Sequence, residues 1–432
     1  MALAEAPTQR QSPGHSEFGR VTGLIFIFLA TRILIGLSMT LEQVSFVAND
    51  VGYYAYYLFR MANGEGELMV EYPVPAVWIL QALYFIGGGY ETWVPLYVTF
   101  FLLLDGAVAA SLYRRGNAAG SLFWILFTGA QGAIVWYRFD LIPAALVAWA
   151  CVLLMSRPRV AGGLIGFGAA IKLWPALLIA PMLAPNPLKA GPARRRLFGF
   201  VAVGSALAAA SLLTSGWARS ASPIGWQSGR GLQIESVPAT PLMWLRTFTD
   251  NPSWPIALSE YNALELDRAA PGVELMLQVS SVLTAASIAL AIFLTYRLIR
   301  NLDREDPRLR DAIILAVFSI VLATIIANKT LSPQYLVWLG GPVAALLVNV
   351  RTGWLKRHVQ VLAASLVVLA GCTQFTYPWG TYGIMSIPLG SGPETSVLVL
   401  RNIGLVALTC YAIALTLMAS TRGSRPESHN FG

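Results

Sequence analysis

A few short blocks in this chain hold side chains that could do chemistry. The first reads Asn49-Asp50-Val51-Gly52-Tyr53-Tyr54-Ala55-Tyr56-Tyr57 and is followed by Glu71-Tyr72-Pro73. A carboxylate such as Asp50, a few residues beyond a long apolar run, is held near a low-dielectric boundary, where partial desolvation can raise its basicity. The plain alternative is an ordinary acidic loop residue. A second block, Tyr137-Arg138-Phe139-Asp140, precedes the apolar Leu141-Ile142-Pro143. Asp140 could work in a site or simply complement the dipole of the helix it introduces. The third, Trp226-Gln227-Ser228-Gly229-Arg230-Gly231-Leu232-Gln233-Ile234-Glu235-Ser236, mixes planar hydrogen-bonding groups with indole faces. Carbohydrate sites use that mixture, although tryptophans also anchor chains at membrane interfaces.

Lysine usage adds two candidates. The chain has 26 Arg and 4 Lys, so arginine is its default cation and each lysine stands out. Lys189 and Lys356 sit in basic clusters, where either cation would serve. Lys172, in Lys172-Leu173-Trp174-Pro175, and Lys329, in Lys329-Thr330-Leu331-Ser332-Pro333-Gln334-Tyr335, do not. A compact ammonium is a suitable partner for a phosphate; the alternative is a lysine snorkelling to the headgroups.

The elements that position these blocks must lie in a membrane. Of 432 residues 56% are apolar and 12% charged, about half the charge of an average soluble domain. Such a chain would expose large apolar patches to water. A span needs about 20 apolar residues, and ten runs qualify: 21–41, 93–113, 119–136, 140–156, 197–214, 273–299, 311–328, 335–350, 359–375 and 395–418. The first lacks a cleavage site and follows Arg10 and Arg20, so it is expected to be an uncleaved span with a cytosolic N-terminus. Residues 73–88 start with prolines and end in glycines. Making them cross would put Arg114, Arg115, Arg157 and Arg159 outside, so they are expected as a juxtamembrane helix in the outer interface. Residues 160–184 are broken at Lys172 and Pro175 and are expected to enter, turn near Lys172 and return.

This placement puts 20 of the 30 basic residues and 7 of the 22 acidic ones on the cytosolic side, and 7 basic with 14 acidic outside. Arg32, Lys172, Arg401 and Asp105 stay at membrane depth. The net charge of +8 is therefore a topology signal rather than a nucleic-acid footprint. The expected organisation is a cytosolic tail at 1–20, a transmembrane domain at 21–418 with external loops 42–92 and 215–272, and a cytosolic tail at 419–432. His15, His358 and His429 all fall on the cytosolic side, so acid-base work outside must come from a carboxylate. Three cysteines within apolar runs offer neither a disulfide framework nor a zinc cluster.

Taken together, the blocks resemble the polytopic GT-C glycosyltransferases, and within them glycosyltransferase family 87, the polyprenyl-phosphate-mannose-dependent alpha-1,2-mannosyltransferases of actinobacteria. The carriers are the Asp50 block with Glu71-Tyr72-Pro73, Tyr137 to Pro143, Gly168-Ala169-Ala170-Ile171-Lys172-Leu173-Trp174-Pro175, Arg230 to Ser236, and Ser332-Pro333-Gln334-Tyr335-Leu336-Val337-Trp338. The resemblance covers most of residues 20 to 420. It implies an all-α GT-C-like bundle of about ten full spans with the broken pair and the outer helix, in the plasma membrane, with its active site on the external face. It implies Asp50 as general base and Asp140 lining the same cavity. The chain departs from the phosphatidylinositol-mannoside branch, which looks to carry histidines where Gln334 and Tyr335 stand, so that acceptor is not implied.

A lipid phosphosugar leaves as a phosphate, so one base on the acceptor hydroxyl and cations around the phosphate suffice. The expected reaction is an inverting transfer of a sugar, mannose by resemblance, to a glycan or glycolipid. Lys329 and Arg230 would steady the phosphate, with Lys172 as a weaker candidate. Asp140, Arg138, Tyr53, Glu71, Tyr72, Gln233, Glu235, Gln334 and Tyr335 would line the substrate site. No cofactor is called for, and assistance by a divalent cation is left open. Three rivals stand beside this reading: a transporter or flippase of a lipid-linked or small solute, a GT-C enzyme that uses arabinose or another lipid-linked sugar, and a non-catalytic membrane scaffold. A bound nucleic acid is not expected.

Overall fold

In the computed structural model, residues 13–421 are described, apart from 117 and 250. The chain is an all-α polytopic membrane protein. Seven helices among the described residues are long and apolar enough to cross a membrane. They are α1 (Pro13–Ser38), α5 (Trp93–Arg114), α10 (Pro192–Gly229), α12 (Val273–Asn301), α13 (Leu309–Ala327), α15 (Trp354–Gln374) and α17 (Gly392–Ala419). Nearly every residue of α13 is buried, and α12, α14 (Val337–Asn349) and α17 pack around it. By contrast α1 and α10 keep apolar residues such as Phe26, Leu29, Val201 and Leu213 exposed, as lipid-facing helices do.

The ten expected runs are helical, but three are not full spans. They form α6 (Ala118–Gln131), α7 (Leu141–Leu153) and α14, of 14, 13 and 13 residues. At 1.5 Å per residue each covers about 20 Å, two thirds of a hydrocarbon core of about 30 Å. The shortening has a cause. Between α6 and α7 the chain leaves the helix at Gly132 (φ 80°) and runs irregularly to Asp140, with Ala133, Ile134, Val135, Trp136, Phe139 and Asp140 buried. Hydropathy reads through this segment because it is apolar. A second irregular stretch, Asn328 to Leu336, precedes α14, and Gln131 Nε2 donates to the Pro333 carbonyl at 3.1 Å.

The expected break near Lys172 is present. It separates α8 (Pro158–Ile171) from a 3₁₀ turn over Trp174–Leu178 and a single helical turn, α9 (Ile179–Met182); Lys172 itself is extended. Helix α8 crosses α10 closely on glycine. A Cβ on Gly162 would meet the Arg196 carbonyl, and one on Gly199 would meet the Arg159 carbonyl, so the two backbones touch where side chains are absent.

Other boundaries shift. The segment 42–92 holds the short turn α2 (Glu42–Ser45), then α3 (Asn49–Ala62), whose Val51, Tyr54, Ala55 and Leu58 form a buried stripe at helical spacing. The segment 73–88 is α4 (Val74–Ile86), packed on α3, α8 and α10. The first part of 215–272 is not loop but the end of α10, which turns at Gly216 (φ 71°) and runs on to Gly229. Arg219 then donates to the Met69 and Tyr72 carbonyls, both at 3.1 Å, and ties this arm to the Glu71 loop. The remainder holds a small antiparallel sheet in the order β1 (Leu232–Gln233), β3 (Leu264–Leu266), β2 (Ile256–Leu258), with α11 (Thr240–Phe248). Beyond α15 a wide turn over Phe375–Trp379 leads to α16 (Thr381–Met385). Of the two expected tails, 1–12 and 422–432 lie outside the described residues, while 13–20 begin α1 and Ala419 ends α17.

Arg32 and Asp105, left without a role by the sequence, find each other. Arg32 donates to Asp105 Oδ2 from Nη2 at 2.6 Å and from Nε at 3.1 Å, while Trp124 and Trp136 donate to the same carboxylate at 2.7 and 3.0 Å. A buried charge with that many partners is a structural tie between α1, α5 and α6.

Candidate active site

The three irregular stretches at 132–140, 172–178 and 328–336 converge on one cavity of about 1410 Å³. Non-helical backbone at membrane depth is tolerated where it lines such a space. All thirteen residues singled out as site candidates from the sequence lie on its wall.

At one point of the wall Asp50, in the first turn of α3, meets Arg138. Its Oδ2 lies 2.8 Å from Arg138 Nε, and its other oxygen faces Asn262 at 3.5 Å. The Asp50 side chain is 29% exposed, so one carboxylate oxygen is held while the group still reaches the cavity. Arg138 is buried and spends its remaining donors on the Val47 carbonyl (2.8 Å), the Tyr137 carbonyl (3.0 Å) and the Tyr377 hydroxyl (3.1 Å). Beside them Tyr53 donates to Glu71, and the hydroxyls of Tyr54 and Tyr72 lie 2.9 Å apart. Burial pushes the Glu71 carboxyl above its ordinary value, with the Tyr53 hydrogen bond opposing.

Asp140 is committed differently. Its Oδ1 accepts from Lys172 Nζ at 2.7 Å and from Trp338 Nε1 at 2.8 Å. The Lys172 ammonium also lies 5.0 Å from the Tyr335 ring centre and 5.4 Å from that of Trp338, within cation–π reach. Trp174, Trp338 and Tyr335 stack in turn, at 4.6 and 4.2 Å between centroids. The three irregular stretches are thus pinned together by one ion pair and one aromatic stack, and Lys172 keeps 26% of its side chain exposed.

A third part of the wall comes from the small sheet. Lys329 Nζ donates to the Ser228 carbonyl at 3.0 Å, and the Lys329 carbonyl accepts from the Gln233 amide at 3.0 Å. Arg230 sits 6.0 Å from the Tyr261 ring. Burial, with Arg268 and Arg230 nearby, lowers the Lys329 ammonium from its ordinary value. Gln233 and Glu235 are buried, and Gln233 Oε1 and Glu235 Oε2 have no hydrogen-bond partner. Burial pushes Glu235 up to about 7 against the pull of Arg401, whose Nη2 holds the Glu235 carbonyl at 3.0 Å. Gln334 lines the cavity beside Tyr335.

Part of the wall carried no signal that the sequence reading used. Phe46, Tyr377 and Tyr382 line it, as does Asn262. The block Phe375-Thr376-Tyr377-Pro378-Trp379 at the end of an apolar run looks like an aromatic interface belt. A long stretch of the remaining wall is aliphatic or small: Ala169 and Ala170 from α8, Val201, Leu207 and Ala208 from α10. Among the described residues no three His, Cys, Asp or Glu side chains converge as a metal site would need.

Fold and cavity together define an integral membrane protein with a large, mixed polar and aliphatic chamber. Residues 71–325 match the family model of glycosyltransferase family 87, and the chain belongs to that family: it is a membrane glycosyltransferase. No curated protein and no solved structure matches the chain. Of the thirteen site candidates, Asp50, Tyr53, Lys329, Gln334 and Tyr335 lie outside the matched stretch.

Proposed function

We propose that this glycosyltransferase moves a mannosyl residue from a polyprenyl-phosphate donor to a glycan or glycolipid acceptor at the external face of the plasma membrane, with inversion. The observation that carries the reading is a single cavity that joins a half-open carboxylate, Asp50, to the cations Lys172, Lys329 and Arg230 and to an aliphatic wall from α8 and α10. A nucleotide-sugar enzyme has no use for such a wall, whereas a lipid-linked donor brings a hydrocarbon chain that needs one.

The chemistry is a direct displacement. The acceptor oxygen forms a bond to the anomeric carbon as the bond from that carbon to the phosphate oxygen breaks. Asp50 takes the acceptor proton, and polyprenyl phosphate leaves with the electron pair. Lys329 and Arg230 balance the growing phosphate charge, with Lys172 as a third cation whose charge is already shared with Asp140. Asp140, Gln233 and Glu235 orient sugar hydroxyls. Glu71, Tyr53 and Tyr72 shape the wall behind Asp50, and Gln334 and Tyr335 the opposite one.

The test uses purified protein in sealed vesicles of known orientation, labelled polyprenyl-phosphate mannose and a panel of membrane-impermeant mannosides. Transfer is expected only where residue 228 faces the added acceptor, and Asp50→Asn should slow it by about 10²- to 10⁴-fold. Wild-type rates in Asp50→Asn would remove the base. Transfer from a labelled polyprenyl-phosphate arabinose in place of mannose would reassign the donor, and movement of intact lipid without transfer would favour a transporter.

A further inference from the structure

Arg138 relates the base to an aromatic wall. From one buried guanidinium, Nε reaches Asp50, Nη2 reaches the Tyr377 hydroxyl and Nη1 reaches the Val47 carbonyl, next in the chain to Phe46. Phe46 in turn meets Tyr377 edge-on at 5.4 Å between centroids and Tyr382 at 5.9 Å. The Asp50 carboxylate and the three rings are therefore held by one short set of contacts and share the cavity. Tyr382 is 57% exposed, so this ring is available to something in the chamber.

We propose that Phe46, Tyr377 and Tyr382 form the acceptor subsite, where a pyranose of the glycan or glycolipid headgroup lays its apolar C–H face on the Tyr382 ring and turns its reacting hydroxyl toward Asp50. This rests on Asp50 being the base, because the hydroxyl that loses its proton must lie beside it. Aromatic faces with flanking hydroxyls suit a sugar ring, which is apolar on its faces and polar at its rim. The hydrocarbon chain has the aliphatic wall of α8 and α10 elsewhere in the chamber. Phe46, Tyr377 and Tyr382 also lie outside residues 71–325, so the acceptor wall is built from parts of the chain that the family match does not cover.

The experiment reads acceptor and donor separately. With octyl α-mannoside as acceptor, Tyr382→Ala should raise the acceptor KM about three- to tenfold, the range of an aromatic stacking contact, and leave the donor KM unchanged. Tyr382→Trp should restore it. An unchanged acceptor KM, or an equal rise in the donor KM, would overturn the subsite. Calorimetric binding of octyl α-mannoside to Asp50→Asn provides a readout that needs no turnover: affinity should persist there and fall when Tyr382→Ala is added. Affinity unmoved by Tyr382→Ala overturns the wall, whereas full transfer activity in Asp50→Asn overturns the base, so the two failures are distinct.

Discussion

Arg138 Nε lies 2.8 Å from Oδ2 of Asp50, and the same guanidinium also donates to the Val47 carbonyl and the Tyr377 hydroxyl. The planar fork spreads its donors over three nitrogens, so it reaches groups that the single nitrogen of an ammonium cannot span together. Arg138→Lys keeps the charge but frees Tyr377 or Val47. Because a displacement of about 1 Å can cost about 10²-fold in rate, kcat should fall by about one to two orders of magnitude. Steady-state kinetics on the detergent-purified variant checks this; a kcat within twofold of wild type would deny Arg138 a positioning role.

Lys172→Met leaves the Asp140 carboxylate buried with only Trp338 as a donor. Removing one partner of a buried ion pair costs about 3 to 5 kcal/mol, whereas removing both charges costs much less. Lys172 is a quarter exposed, so the lower end of that range applies. The single variant should therefore unfold well below wild type, and Lys172→Met with Asp140→Asn should recover much of the loss while staying impaired in transfer. Thermal unfolding and activity of the two variants separate the structural share of the pair from its catalytic share.

Glu235 makes stability depend on pH. Its carboxyl rises on folding from 4.5 to about 7, mainly through burial. The folded protein thus holds a proton that the unfolded chain releases, and the stability tied to that proton is complete below about pH 4.5 and lost as pH rises toward 7. Relative to Glu235→Gln, wild type should lose stability across that window and level off above it. Arg401 opposes the rise, so Arg401→Met should extend the loss to higher pH. Parallel melting curves from pH 4 to 8 would show it; a constant difference between wild type and Glu235→Gln would contradict the assignment.

The sequence made some of this legible for identifiable reasons. Long apolar runs mark α1, α5, α12 and α17, and Pro175 beside Lys172 marks the break after α8, because proline removes a donor within an otherwise apolar stretch. The retreat of the chain between α6 and α7 was hidden, since Ala133 to Trp136 are as apolar as a span and only Gly132 hints at the turn. Helix α3 was hidden as well: its stripe of Val51, Tyr54, Ala55 and Leu58 is amphipathic, but its tyrosines read equally as a loop. Candidate polar residues were easier to find than their partners. Charge at membrane depth is rare enough to notice, whereas Tyr377 and Tyr382 resemble any interfacial aromatic until Arg138 is seen to reach one of them.

Arg32 and Asp105 test whether every intramembrane charge serves the reaction. Asp105 accepts from Arg32, Trp124 and Trp136, and neither charged residue lines the cavity. Asp105→Asn leaves Arg32 buried without a counter-charge and offers one oxygen where two were used, a change worth about 3 to 5 kcal/mol. The folded fraction keeps its cavity wall, so donor and acceptor KM should remain near wild type while the melting temperature and yield of protein fall. Arg32→Met with Asp105→Leu should recover part of that stability by removing both charges from an apolar setting. A shift in either KM without loss of stability would instead tie this pair to the reaction.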